Sequence, residues 1–144
     1  MTRSRAPRRH RTDRGVSSIE LALLTPALIL VILCVIQFAM VYHARHVALA
    51  AAQSGARVAR SDLNGGWKAE AEAKARASVQ HYGANLLTDL RARATTDGDD
   101  NRWVDVRGKA VRVIPFMTFR VHQRAGGPIE CFRPDDGGTD CEAP

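Results

Sequence analysis

From Leu21 to Tyr42 the chain reads LALLTPALILVILCVIQFAMVY, twenty-two residues without a formal charge. A helix rises ~1.5 Å per residue and needs about 20 apolar residues to cross the hydrocarbon of a bilayer, so this run is long enough to span it. Read instead as the core of a soluble protein, it would be hydrophobic on every side, and the rest of the chain holds too little apolar sequence to wrap it. The flanking charge is lopsided. Arg3, Arg5, Arg8, Arg9, Arg11 and Arg14 stand before the run with only Asp13 opposing them, whereas Arg45 is the one cation in the ten residues after it. Cationic flanks stay in the cytoplasm, so the expected orientation puts the N-terminus inside and residues 43–144 outside. The leader's six arginines and one aspartate account for five of the six net positive charges. The overall basicity is therefore no sign of a nucleic-acid partner.

Four residues in the run carry chemistry besides hydrophobicity. Pro26 removes a helix N–H and its ring clashes with the preceding turn, which predicts a bend, and the Thr25 hydroxyl can bond a nearby carbonyl. Gln37 is costly against lipid, so the expectation is a partner helix or a position near the outer headgroups. Cys34 reads as a small apolar filler. Cys131 and Cys141 fall on the outer side, where disulfides persist. A bridge between them would close the C-terminal loop; two free thiols are the other possibility.

The junction RTDRGVSSIELALLTPALIL is the most specific stretch. The apolar segment is too long for an ordinary signal peptide, and the nearest A-x-A-like site lies beyond His43, Arg45 and His46. Gly15 instead precedes the apolar segment, and Glu20 is the fifth residue after it. A carboxylate at the edge of a spanning helix is expensive and calls for a partner. This order of basic leader, Gly15, small or apolar residues from Val16 to Ile19, Glu20 and apolar helix resembles the processing motif of type IV prepilins. The longer stretch from Arg14 to Arg60, with Pro26 early in the helix and Gly55-Ala56-Arg57 in an alanine-rich continuation, resembles TadE-like pseudopilins of tight-adherence (Flp) pilus systems.

The resemblance implies a cut between Gly15 and Val16 by a prepilin peptidase on the cytoplasmic side. It also implies that Glu20 pairs with the new Val16 amine, or with that of a neighbouring subunit, during assembly. Partners would be other pilin or pseudopilin subunits, pilus-assembly membrane proteins and the bilayer, with no nucleic acid and no cofactor. Val16 stands where major pilins carry phenylalanine and Leu21 where many pseudopilins carry an aromatic, which points to a minor subunit. Without the cut, the same sequence would make a permanent single-span anchor displaying an outward binding domain.

Beyond the membrane, alanine-rich sequence to Ser61 predicts that the helix continues outward, with Val47, Leu49, Ala52, Ala56 and Ala59 available for packing. Asp62, Asn64, Gly65 and Gly66 make a turn. A second helix begins near Trp67 with an apolar stripe of Trp67, Ala71, Ala75, Val79, Tyr82, Leu86 and Leu90, and Glu72 with Arg76 forms an i,i+4 pair. Asp97–Asn101 is an acidic break. It lacks the sixth-place glycine and twelfth-place glutamate of an EF-hand loop. After it the period changes to two: Val104 and Val106 face Val111 and Val113 across a Gly108-Lys109 turn, Asp105 faces Arg112, and a third strand covers Phe116–His122.

The expected organisation is thus a basic leader (1–15), a transmembrane and protruding helix (16–61, span about 21–42) and an outward head (62–144). The expected fold is α+β, with a long N-terminal helix, a second packed helix and a small C-terminal antiparallel sheet of about three strands. No nucleophile, metal-ligand or nucleotide motif occurs, and His43 and His46 lack a third ligand near in sequence. The chain reads as a non-enzymatic membrane subunit.

Overall fold

A computed structural model of the chain describes residues 14–62, 65–97 and 101–130. Helix α1 is Arg14–Ser61, helix α2 is Trp67–Gly83, and strands β1 (Leu87–Asp97), β2 (Asn101–Ala110) and β3 (Arg120–Pro128) form one antiparallel sheet in the order β1-β2-β3. The architecture is the expected α+β. Cys131 and Cys141, and most of the basic leader, lie outside the described residues.

The outer half of α1 is the spine of the head. Val41, Ala44, Val47, Ala48, Ala51, Ala52, Ala56 and Ala59 are buried along it at helical spacing, while Leu49 is half-buried. Small side chains let α2 approach closely. Ala71 and Ala75 are fully buried, and a Cβ built on Gly55 would stand 2.7 Å from the Ala71 carbonyl oxygen and 3.1 Å from the Ala75 methyl. In this seam Ser78 Oγ donates to Ser54 Oγ at 2.9 Å.

The inner face of the sheet completes the core with Leu87, Ala92, Ala94, Val104, Val106, Ala110 and Val121. α1 lies against β2 and β3, and α2 against β1. Arg102 shares this inward face at 8% exposure. Its guanidinium lies 4.5 Å from the Trp67 ring centroid and donates to the Ala59 and Asp62 carbonyls, so a buried cation closes the C-terminal end of α1, where carbonyls lack helical partners. On the edge strand, the Ala94 N–H donates to Glu72 Oε1 at 3.0 Å, and Arg76 donates to both Glu72 Oε2 and the Ala92 carbonyl. The anticipated Glu72–Arg76 pair therefore also fastens α2 to β1.

Three local expectations are corrected. The stripe of α2 ends at Val79: Tyr82 is 64% exposed, Leu86 lies past the helix end, and Leu90 belongs to β1. Second, Gly108 and Lys109 make no turn. β2 runs straight through them, because Gly108 lets Leu87 and the Thr88 carbonyl of β1 come close; a Cβ added at Gly108 would stand only 3.2 Å from each. Asp105 consequently faces Arg93 and Arg124 and hydrogen-bonds His122 Nε2 at 2.6 Å, rather than meeting Arg112. Third, the last strand starts at Arg120, so residues 111–119 form a loop closed at its base by Ala110 N–H donating to the Phe119 carbonyl at 3.0 Å.

Candidate functional site

The inner half of α1 has no counterpart within the described chain. Twelve large apolar residues from Ile19 to Ile36 are between 36% and 75% exposed. Burying such a side chain is worth about 1.5–3 kcal/mol, so leaving twelve in water forfeits on the order of 20 kcal/mol. That exceeds the ~5–15 kcal/mol by which a domain is stable. This half of the helix requires an apolar surrounding, and its length and mean hydropathy of 2.8 suit a single membrane crossing.

Within the span, α1 is continuous through Pro26. Pro26 has no N–H for the Ala22 carbonyl, and the neighbouring Thr25 hydroxyl donates to the Leu21 carbonyl at 2.6 Å, the bond anticipated from sequence. At the inner end, α1 begins at Arg14, so the Gly15–Val16 bond falls in its first turn. Glu20 is exposed one turn further along. Positions 16 and 20 are four apart and share a helix face.

Gln37 is where the structure departs most from expectation. Its side chain is fully buried within the chain's own head. Its Oε1 accepts from Val113 N–H at 2.7 Å and Ile114 N–H at 3.1 Å, and its Nε2 donates to the Val111 carbonyl at 3.2 Å. One side chain thus satisfies three backbone groups of the 111–119 loop. Beside it Phe38 meets Phe119 with ring centroids 6.0 Å apart. The loop carries Ile114 down to the groove lined by Thr25, Pro26, Ile29, Leu30 and Leu33. The signal in the sequence was Pro115, which stands between the two strands expected on either side of it.

The family model of TadE-like proteins matches residues 15–57. This stretch is similar to TadE-like proteins. The match takes in Gly15, Glu20, Pro26, Gln37 and Gly55 and ends on the outer half of α1, covering under a third of the sequence. No curated protein and no solved structure matches the chain. TadE-like proteins belong to Tad pilus systems, and the match suggests involvement in Tad pilus assembly alongside pilus or pseudopilin components. The family is not known for enzymatic activity. Among the described residues, no group of three His, Cys, Asp or Glu side chains could hold a metal ion. His43 and His46 are both exposed on α1, and the His46 ring packs edge-on against Tyr42.

Proposed function

We propose that this chain is a TadE-like minor pseudopilin: a single-pass subunit, with the N-terminus cytoplasmic and the head outside, that a prepilin peptidase cuts between Gly15 and Val16 and that then acts in assembly of a Tad-type pilus. The observation that carries the reading is the unpartnered apolar half of α1, with Gly15 and Glu20 at its inner end and the head's core on its outer half. Such a helix can exchange lipid for sister helices without refolding. The Gly15–Val16 bond sits where helix N–H groups have no intrahelical partners, so drawing it into a protease's extended binding mode disrupts little. Once freed, the Val16 ammonium lies about 6 Å along the axis from Glu20, close enough for it, or a neighbour's ammonium, to offset the carboxylate's cost in the bilayer. The bend expected at Pro26 would fall in the half of α1 that faces lipid or sister helices. A disulfide between Cys131 and Cys141 would fasten the C-terminal tail.

The test is N-terminal sequencing of the membrane-bound product from cells that make the peptidase. The expected terminus is Val16, with the leader retained in Gly15→Val, and Glu20→Ala is expected to be cut yet fail to assemble. A wild-type product that keeps its leader identifies a permanent anchor instead and defeats the reading.

A further inference from the structure

The 111–119 loop has the composition of a membrane-contacting segment and is held at the level where the span ends. Val113, Ile114, Pro115, Phe116 and Met117 follow one another without a polar side chain, and Arg112 and Arg120 stand on either side of the loop's apolar part. Phe116 is 98% exposed and has φ of 76°, a left-handed conformation that a bulky side chain avoids. In water this places a whole phenyl ring where it gains nothing. The position of the loop supplies the reason. Ile114 lines the same groove as Leu30 and Leu33, which lie about 6–10 Å inward of Gln37 along the helix axis. The stretch from Ser18 to Ile36 measures roughly 28 Å, close to the ~30 Å of bilayer hydrocarbon. With the span ended at Ile36, just before the first residue of α1 that the head buries, rather than at Tyr42, Gln37 stands at the outer boundary and the loop it holds reaches below it.

We infer that residues 113–117 enter the outer leaflet of the bilayer, with Phe116 and Ile114 among the acyl chains and the exposed Arg112 and Arg120 at the phosphate layer. This inference rests on the membrane-span reading of α1. Lipid, rather than another protein, is the occupant because the loop is continuous with the lipid-exposed face of the same helix and its flanking cations match anionic headgroups. Gln37 makes the arrangement possible. By taking up the Val111, Val113 and Ile114 backbone groups it lowers the cost of carrying irregular backbone into hydrocarbon.

The experiment uses the full chain in phosphatidylcholine–phosphatidylglycerol vesicles, with the emission of Trp67 and Trp103 as common background. Because the Phe116 and Leu28 side chains are exposed, Phe116→Trp and Leu28→Trp leave the packed core intact. Lipid brominated near the headgroup end of its chains should cut the emission added by Phe116→Trp about two-fold, as for an interfacial aromatic. The emission added by Leu28→Trp should be quenched by bromine deep in the chains. If Leu28→Trp responds to lipid while the emission from Phe116→Trp is quenched by aqueous iodide, the loop lies in water and only the loop inference fails. Should the Phe116→Trp emission be shielded from both quenchers and change with protein-to-lipid ratio, its seat is a neighbouring subunit and the lipid assignment is overturned. If neither variant responds to lipid, the span reading falls and takes the loop with it.

Discussion

Replacing Gln37 by leucine isolates the tie between the membrane helix and the head. Leucine keeps most of the volume and makes the span more apolar, so failure to insert cannot explain the result. Lost are three hydrogen bonds, two accepted from Val113 and Ile114 N–H and one donated to the Val111 carbonyl. At about 1 kcal/mol net for each bond, the native arrangement of the 111–119 loop should weaken by about 3 kcal/mol. Every ~1.4 kcal/mol is a factor of ten, so the loop should open on the order of a hundred times more often. Amide hydrogen exchange of the full chain in detergent micelles reads this residue by residue. Val113 and Ile114 N–H should lose about two decades of protection in Gln37→Leu, whereas Val104 and Val106 in the central strand should change little. Unchanged protection at Val113 and Ile114 would refute the assignment of Gln37 as their acceptor.

Other expectations follow from the packing of the head. Gly55→Ala in a free helix would stabilise by about 0.5–1 kcal/mol. Here the new methyl meets the Ala71 carbonyl at 2.7 Å, so thermal unfolding should show a net loss of about 1–3 kcal/mol as α1 and α2 separate. Arg102→Ala strips the α1 terminus of its buried donor and Trp67 of its cation, and should lower stability by about 2–4 kcal/mol in denaturant titration, with a shift in Trp67 fluorescence. The Asp89 carboxyl is held below its ordinary value first by its hydrogen bond to Lys109 at 2.7 Å and then by that ammonium's charge. A depressed folded-state value means the pair stabilises above the unfolded carboxyl's pKa, and that this contribution disappears as pH falls through the folded value. Carboxyl NMR titration of Lys109→Ala should therefore show Asp89 titrating higher than in the parent, and any stability difference between the two should close in acid.

How much of this was legible beforehand depended on whether the deciding interactions were local. The long helix was readable because hydropathy over twenty residues needs no partner to interpret, and the Trp67–Val79 stripe because its spacing repeats within one element. β1 was missed because Leu86 and Leu90 prolong the four-residue spacing of α2 while alanine and arginine favour helix. Only its pairing with β2 selects the extended form. The displaced hairpin has a similar cause: Gly108-Lys109 satisfies the local chemistry of a turn, but the close approach of Leu87 uses the same glycine inside a strand. Gln37 was recognised as costly, yet its partners are backbone groups more than seventy positions away, and backbone groups leave no mark in a sequence. The Gly15–Glu20 motif was visible as a pattern, while the chemistry proposed for it involves proteins outside this chain.

The uninterrupted course of α1 has a mechanical consequence. The same rod is anchored below and serves as the keel of the head above, and Gln37 clamps the two portions at their junction. No slack joint separates them within that rod. A pull or twist applied to the anchored end is passed along one helix to the outer lobe rather than absorbed in a linker.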